Sequence, residues 1–425
     1  MNILLLGSGG RECAIARKLS ESTQTSKLYI APGNAGTKEY GENVNLKISD
    51  FEEVKLFCLK NNIQILFPGG EDTLVMGIYD FFKNDETLQH IIIVGPSQAG
   101  AQLEGSKAFA KKFMQRHHIP TAAYQEFDAH NFEDGLMYLE QHSTPIVLKA
   151  DGLAAGKGVV ITEDIEEAKQ VFTAMIQDAQ FGDAGKKVVV EQFLNGIELS
   201  VFLMTDGENF VVLPEAKDYK RIGEGDTGLN TGGMGAVSPV PFFKEDGFME
   251  KVIEQIAKPT VAGLAAENIV YNGFIFLGLI KVNNEPFVIE YNCRMGDPET
   301  EVVMPRLEND LTELILKMES KSLNQITIKH NEEAAVTVML VSGGYPEHYE
   351  KYKTINGIND IQNSIIFHAG TTEKEGQVLT NGGRVIAITS YGKNLKDALN
   401  KSYKNADIIN FEGMYFRKDI GHEFI

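Results

Sequence analysis

Short apolar runs alternate with amphipathic stretches over the first hundred residues, and no other feature of the chain restricts its fold as much. Ile3–Leu6 ends in Gly7-Ser8-Gly9-Gly10, after which Ile15, Ala16 and Leu19 recur at helical spacing. Lys27–Ile30, Ile63–Phe67 and Ile91–Val94 read as further strands, the last two ending at Pro or Gly. Phe51, Val54, Phe57 and Cys58 form a helical face behind a Ser49–Glu52 capping box. Strands that alternate with helices build a parallel sheet, whose ligand crevice lies at the carboxyl ends of the strands.

A dinucleotide fingerprint would require G-x-G-x-x-G after the first strand. Counting from Gly7, the third position is Glu12, which counts against an NAD-dependent oxidoreductase. The glycine-rich turn beside Arg11 suits either a phosphate at a helix N-terminus or a tight packing turn.

A second region runs from about Gln102 to residue 325. It contains KADGLAAGKGVVI (Lys149–Ile161), which is too short between Gly152 and Gly156 for a P-loop and has Gly158 where that motif needs a hydroxyl. Val159, Val160 and Ile161 favour a strand, so the segment reads as strand, lysine-bearing flap, strand. An ordinary glycine-rich hairpin is the alternative for such a motif alone. Val188–Val190 is a further strand, and Phe274–Val282 with Phe287–Tyr291 resembles a hairpin. After the polar Lys321–Asn324 stretch, Ala334–Val341, Ser364–Phe367 and Arg384–Thr389 read as strands of a small α+β domain. The expected fold class is therefore α/β and α+β in several domains, as the length of 425 residues allows.

A net charge of −19 argues against bulk binding to nucleic acid or anionic membrane, so an anionic substrate needs a local positive pocket. No apolar run is long enough to span a bilayer. The start MNILLLGSGG has no basic leader, and three scattered cysteines form neither a disulfide framework nor a metal set. A cytoplasmic location is the expectation.

FVIEYNCRMGDPETE (Phe287–Glu301) carries the sharpest chemistry. On a strand, Glu290 and Asn292 share a face. A carboxylate beside an amide oxygen offers hard ligands to a magnesium ion that keeps its other positions for water and phosphate. The facing Leu277–Ile280 run has no carboxylate to add, and Arg294 is the next position of the same parity. A solvated polar face is the competing reading. In VVVEQFLNGIELS (Val188–Ser200), Glu191, Phe193, Leu194 and Glu198 could line a nucleotide, though a core strand followed by a turn fits equally.

Taken together, these segments resemble the ATP-grasp ligases, and within them the phosphoribosylamine–glycine ligase family. GSGGRE (Gly7–Glu12), PGNAGT (Pro32–Thr37), QLEGSKAFAKKFM (Gln102–Met114), KADGLAAGKGV (Lys149–Val159), GDTGLNTGGMGA (Gly225–Ala236), GDPETE (Gly296–Glu301), SGGYP (Ser342–Pro346), FHAGT (Phe367–Thr371) and NGGRV (Asn381–Val385) carry the likeness along the whole chain. The resemblance implies an N-terminal α/β substrate-binding domain at 1–101, an ATP-grasp domain at 102–325 with its flap-bearing lobe at about 120–190, and an α+β domain at 326–425. It implies ligation of glycine to 5-phosphoribosylamine with ATP and Mg2+ or Mn2+, through glycyl phosphate, by a monomer or alternatively a dimer. Another ATP-grasp carboxylase or amino-acid ligase is the alternative.

By the same resemblance, Lys107 and Lys149 hold ATP phosphates under the flap residues Gly152, Gly156, Lys157 and Gly158. Glu191, Phe193 and Leu194 line the adenine, Glu198 takes ribose, and Glu290 and Asn292 hold the metal. Gly9, Gly10, Asn34 and Glu71 contact phosphoribosylamine, while Asp218, Arg294 and Asp297 place glycine or the transferring phosphoryl group. Cys13 stands where the family usually has His, Lys217 and Tyr219 stand where Gln and His are usual, and Pro68–Glu71 replaces a Gly-Pro-Glu; these changes bear on the phosphoribosylamine contacts.

Overall fold

Asn2–Gly7 forms the middle of a five-stranded sheet in the order Glu42–Asn43, Lys27–Pro32, Asn2–Gly7, Ile65–Pro68, Ile92–Ile93, with every pair parallel. The computed structural model describes residues 1–153, 158–178, 182–244 and 247–425. Ile3 and Leu5 face one hydrophobic core and Leu4 and Leu6 another, which is why the strand is apolar without alternation. The strand order reverses beside Asn2–Gly7, so the crevice opens over Gly7–Gly10.

Glu12 explains why the dinucleotide fingerprint is absent. Its carboxylate folds back to accept from Gly9 N at 2.6 Å and closes the start of helix Gly10–Ser20. Gly7 lies at φ +137°, and a Cβ there would sit 2.4 Å from Glu12 Cγ. Only glycine fits both conditions. The next helix, Phe51–Lys60, departs from expectation at its cap: Asp50, not Ser49, accepts from Glu53 N. Both lie one residue later than the expected pair, and a carboxylate is an equally good N-cap.

The flap-bearing lobe is an antiparallel sheet in the order Tyr124–Asp128, Lys187–Gln192, Ile146–Ala150, Val159–Thr162, backed by helices Phe132–Gln141 and Ile165–Ile176. Phe127, Leu148, Phe172 and Val190 give it a core of its own. Ile146–Ala150 and Val159–Thr162 pair as a hairpin with Lys149 opposite Val159, as the two expected strands require. The expected flap residues Gly156 and Lys157 lie outside the described residues.

A second antiparallel sheet joins Phe210–Val212, Ile197–Thr205, Tyr271–Val282 and Glu285–Asn292, and Gly95–Pro96 pairs with its longest strand. A third sheet runs Lys217–Asp218, Gly235–Ser238, Ala334–Val341, Arg384–Gly392, Ile365–His368. Its first two strands come from well before residue 326, so the carboxy-terminal strands are completed by the middle of the chain. The hydrophobic interior is shared in the same way: Leu5, Cys13, Phe202, Met234, Val336 and Phe367, drawn from all three regions, belong to one continuous cluster.

Candidate functional site

Lys149 is the last residue but one of the buried strand Ile146–Ala150, and its ammonium lies 3.0 Å from Glu191 Oε2 while donating to the Ile289 carbonyl at 3.2 Å. Lys111 reaches the same carboxylate oxygen at 3.1 Å and donates to Thr121 Oγ1 at 2.8 Å. Burial pushes the Lys111 ammonium down to about 8, against the attraction of Glu191. Glu191 Oε1 is buried without a hydrogen-bond partner, next to half-buried Phe193 and Leu194. A polar atom left open beside apolar surface suits a heterocycle with a donor edge.

Lys107 opens helix Lys107–Arg116. Its amide donates to the Asp151 carbonyl and its Nζ to the Gly152 carbonyl, both at 3.0 Å. Asp151 Oδ1 in turn accepts from Ala108 N at 2.7 Å and Ser106 Oγ at 3.0 Å, and Ser106 caps the helix through Phe109 N. The root of the flap is thus bonded to the helix that presents Lys107. Burial lowers the Lys107 ammonium, opposed by Glu290. At the far side of the flap, the Gly158 carbonyl accepts from Ala150 N at 2.8 Å.

Glu290 and Asn292 both sit on the half-exposed face of Glu285–Asn292, with Tyr291 on the buried face. Gly278 lies opposite Glu290, and a Cβ there would approach Glu290 Cγ to 3.0 Å. Among the described residues no three His, Cys, Asp or Glu side chains converge as a metal site. The donor set fits a hard ion that takes its remaining ligands from phosphate and water.

Asp218 belongs to an acidic group beside these residues. Burial raises its carboxyl, Lys220 opposes this, and Glu198 adds to it. Lys220 lies 3.1 Å from Glu198, whose carboxyl is lowered by that ammonium. Glu299, which accepts from Ser200 Oγ at 3.0 Å, is pushed up to about 7 by burial and by Asp218. The unusual neighbours of Asp218 both reach the end of the chain, although Lys217 Nζ also lies 3.5 Å from the Asp218 carbonyl. Lys217 Nζ is 2.9 Å from Glu423 Oε1, and Tyr219 donates to Glu423 Oε2 at 2.8 Å.

A cleft of about 660 Å³ opens at the carboxyl ends of the parallel strands, lined by Gly9, Asn34, Lys38, Asp297, Thr371 and Arg384 among others. Asp297 Oδ1 lies 3.0 Å from Arg384 Nη1. Asn34 shapes the wall: its Nδ2 donates to the Ser8 and His368 carbonyls at 2.9 and 2.7 Å, and its Oδ1 accepts from Gly36 N and Thr37 N. Two of the residues expected as contacts do not line this cleft. Gly10 is buried in the helix behind the rim, and Glu71 is ion-paired to Arg294 at 3.0 Å. Burial works against ionisation of Glu71, but Arg294 and then Arg11 override it and hold the carboxyl at about 2. Arg294 is itself held between Glu71 and Glu104, the latter at 2.5 Å, rather than open to a ligand. Cys13 is fully buried, and burial raises its thiol far above the ordinary value, as expected for packing rather than reactivity.

Several residues of the site were not singled out from sequence. Lys111 follows Lys107 by four residues and so shares its helix face, a legible signal. Arg384 falls in the NGGRV run, but the sequence assigns no role to it or to Lys220, whose contacts to Asp297 and Glu198 respectively come from residues distant in sequence.

An antiparallel lobe whose Lys149 reaches the strand that carries a carboxylate and an amide has the arrangement of an ATP-grasp enzyme. Three family models match in order: the phosphoribosylglycinamide synthetase N domain at residues 1–104, its ATP-grasp (A) domain at 105–300 and its C domain at 335–423. The chain belongs to the phosphoribosylglycinamide synthetase family. The phosphoribosylamine–glycine ligases of Vibrio vulnificus and Pasteurella multocida are each 44% identical to it, covering 100% of this chain and 99% and 98% of theirs. The crystal structure of the phosphoribosylamine–glycine ligase of Thermotoga maritima superposes with a TM-score of 0.84 at 34% identity, covering 99% of this chain and 100% of the other. A biotin carboxylase domain from Hydrogenobacter thermophilus, at 15% identity and a TM-score of 0.72, shares the fold alone.

Proposed function

We propose that the chain joins glycine to 5-phosphoribosylamine using ATP, releasing glycinamide ribonucleotide, ADP and phosphate. A carboxylate oxygen is a poor leaving group, so glycine first attacks the γ-phosphorus and expels ADP. The phosphoribosylamine nitrogen then attacks the carbonyl of glycyl phosphate, expels phosphate and loses a proton. Both steps ask mainly for positioning and charge stabilisation. Holding the reactants together contributes about 7–11 kcal/mol to such a reaction, more than one general base supplies. A nucleophilic Ser or Cys is not needed.

In this reading Lys107 and Lys149 meet the phosphates under the flap, which also excludes water from the acyl phosphate. Glu191, Phe193 and Leu194 take the adenine, and Glu198 the ribose. Glu290 and Asn292 would hold Mg2+ or Mn2+, which neutralises charge on the phosphates. Asp218, with Lys220 and Glu299 beside it, lies on the glycine side, and the cleft of Gly9, Asn34, Asp297 and Arg384 receives the phosphorylated sugar. The observation that carries the reading is the convergence of Lys149 on Ile289, the residue before Glu290, which brings the phosphate and metal groups of two lobes together. The resemblance to biotin carboxylases does not favour a carboxylase, because it extends to fold alone.

On this reading the chain acts on small molecules in the cytoplasm, as a monomer or alternatively a dimer, and its charge of −19 speaks against nucleic-acid or anionic-membrane partners. ADP release is measured with MgATP, omitting glycine and freshly made phosphoribosylamine in turn. Release that requires both is expected. Release with bicarbonate in their place would sink the proposal.

A further inference from the structure

Glu104 lies in the last turn of helix Gln98–Gly105 and is buried, yet no role in binding substrate falls to it. Its carboxylate meets the two residues that follow the strand bearing Glu290 and Asn292. Oε2 accepts from Cys293 N at 2.8 Å and from Cys293 Sγ at 3.1 Å, while Oε1 accepts from Arg294 Nη2 at 2.5 Å. A carboxylate present only to neutralise Arg294 would take the guanidinium with both oxygens, the stronger arrangement. Here one oxygen is turned to a backbone amide instead.

That amide belongs to the peptide joining Asn292 to Cys293. Holding it fixes the plane from which the end of the strand departs, and with it the origin of the Asn292 side chain. Arg294 is gripped on its other side by Glu71 at 3.0 Å, so the strand end cannot swing. Three residues beyond Glu104 the chain presents Lys107, whose helix is locked by Ser106 and Asp151. One short segment therefore holds the metal-bearing strand at one end and presents the phosphate-binding lysine at the other.

We infer that Glu104 is a positioning residue that sets the spacing between Lys107 and the Glu290–Asn292 pair, so that the cation and the lysine engage one triphosphate. It rests on the ligase reading for the identity of that metal–nucleotide complex, and it deepens that reading by naming what aligns it. Residues that orient metal ligands from behind typically change metal affinity about 10–100-fold when altered.

In Glu104→Gln the amide nitrogen must face either the Cys293 N–H or Arg294, donor against donor. Mn2+ is titrated into the full-length protein with a non-hydrolysable ATP analogue, and free Mn2+ is read by its electron paramagnetic resonance signal. Half-saturation should require about tenfold more Mn2+ than in the wild type. Glu104→Asp keeps the buried charge near Arg294 but withdraws it from the amide; it should shift Mn2+ binding in the same direction and serves where the glutamine variant does not fold. Mn2+ binding unchanged in a folded variant, with only a lower unfolding temperature, overturns the inference and leaves a structural staple. The titration needs no turnover, so failure of the wild type to release ADP would overturn the ligase reading and not this one.

Discussion

His368 gives the acid stability of the fold beside the cleft a definite size. It ends strand Ile365–His368 and is almost fully buried, with Nδ1 3.0 Å from Thr371 Oγ1 and its carbonyl accepting from Asn34 Nδ2 at 2.7 Å. Burial, with a smaller contribution from Lys38, lowers the imidazole from 6.5 to about 4. The unfolded chain binds the proton more readily between those values. Stability from this group is therefore complete above pH 6.5 and lost as pH falls towards 4. At ~1.36 kcal/mol per pH unit the whole interval is worth about 3 kcal/mol, of which about 2.5 kcal/mol is gone by pH 4.5. Glu299 acts in the opposite sense: raised to about 7, it stabilises the fold at low pH and loses that contribution as pH rises through 7. Comparing wild type with His368→Gln cancels it. Urea unfolding of both proteins at pH 7.5 and 4.5, at one ionic strength, should show the wild type losing about 2.5 kcal/mol more than the variant. An equal gap between them at the two pH values would refute the reasoning.

Glu290→Ala should abolish ADP formation with circular dichroism unchanged; near-normal turnover would remove the metal assignment. Glu191→Gln leaves the Lys111 and Lys149 ammonium groups buried without their shared carboxylate, at a cost of about 3–5 kcal/mol read from urea unfolding. A loss below about 1 kcal/mol would mean the pair is better solvated than its burial indicates. Asp151→Asn weakens the bonds from Ala108 N and Ser106 Oγ by about 1–2 kcal/mol and should raise KM for ATP more than KM for glycine. Equal changes in both constants would contradict a link between flap root and Lys107.

Much of the architecture was legible because it depends on neighbours in sequence. Runs such as Ile3–Leu6 and Ala334–Val341 became strands at nearly the expected bounds, since a buried strand needs an unbroken apolar run. Glu290 and Asn292 share a face because alternation is a property of any strand, and both lie beyond the bulge at Ile289, where the pattern is interrupted. Lys217–Asp218 and Gly235–Ser238 were harder: two short strands in a glycine-rich stretch reveal nothing of the sheet they join about 100 residues later.

Residue type and local spacing point to the carboxylate–amide pair and to the glycine turn that opens the first helix, while Lys107 and Lys149 are candidates through the family resemblance. They do not settle which of those groups remain free to do it. Arg294 and Glu71 carry the right charges for ligands, but folding sets them against each other, and Asn34 is drawn into holding a loop to the His368 carbonyl. Burial and opposite charge are felt only across space, as between Lys38 and Glu373, 335 positions apart, and the attraction of charges depends on the inverse of distance rather than on order along the chain.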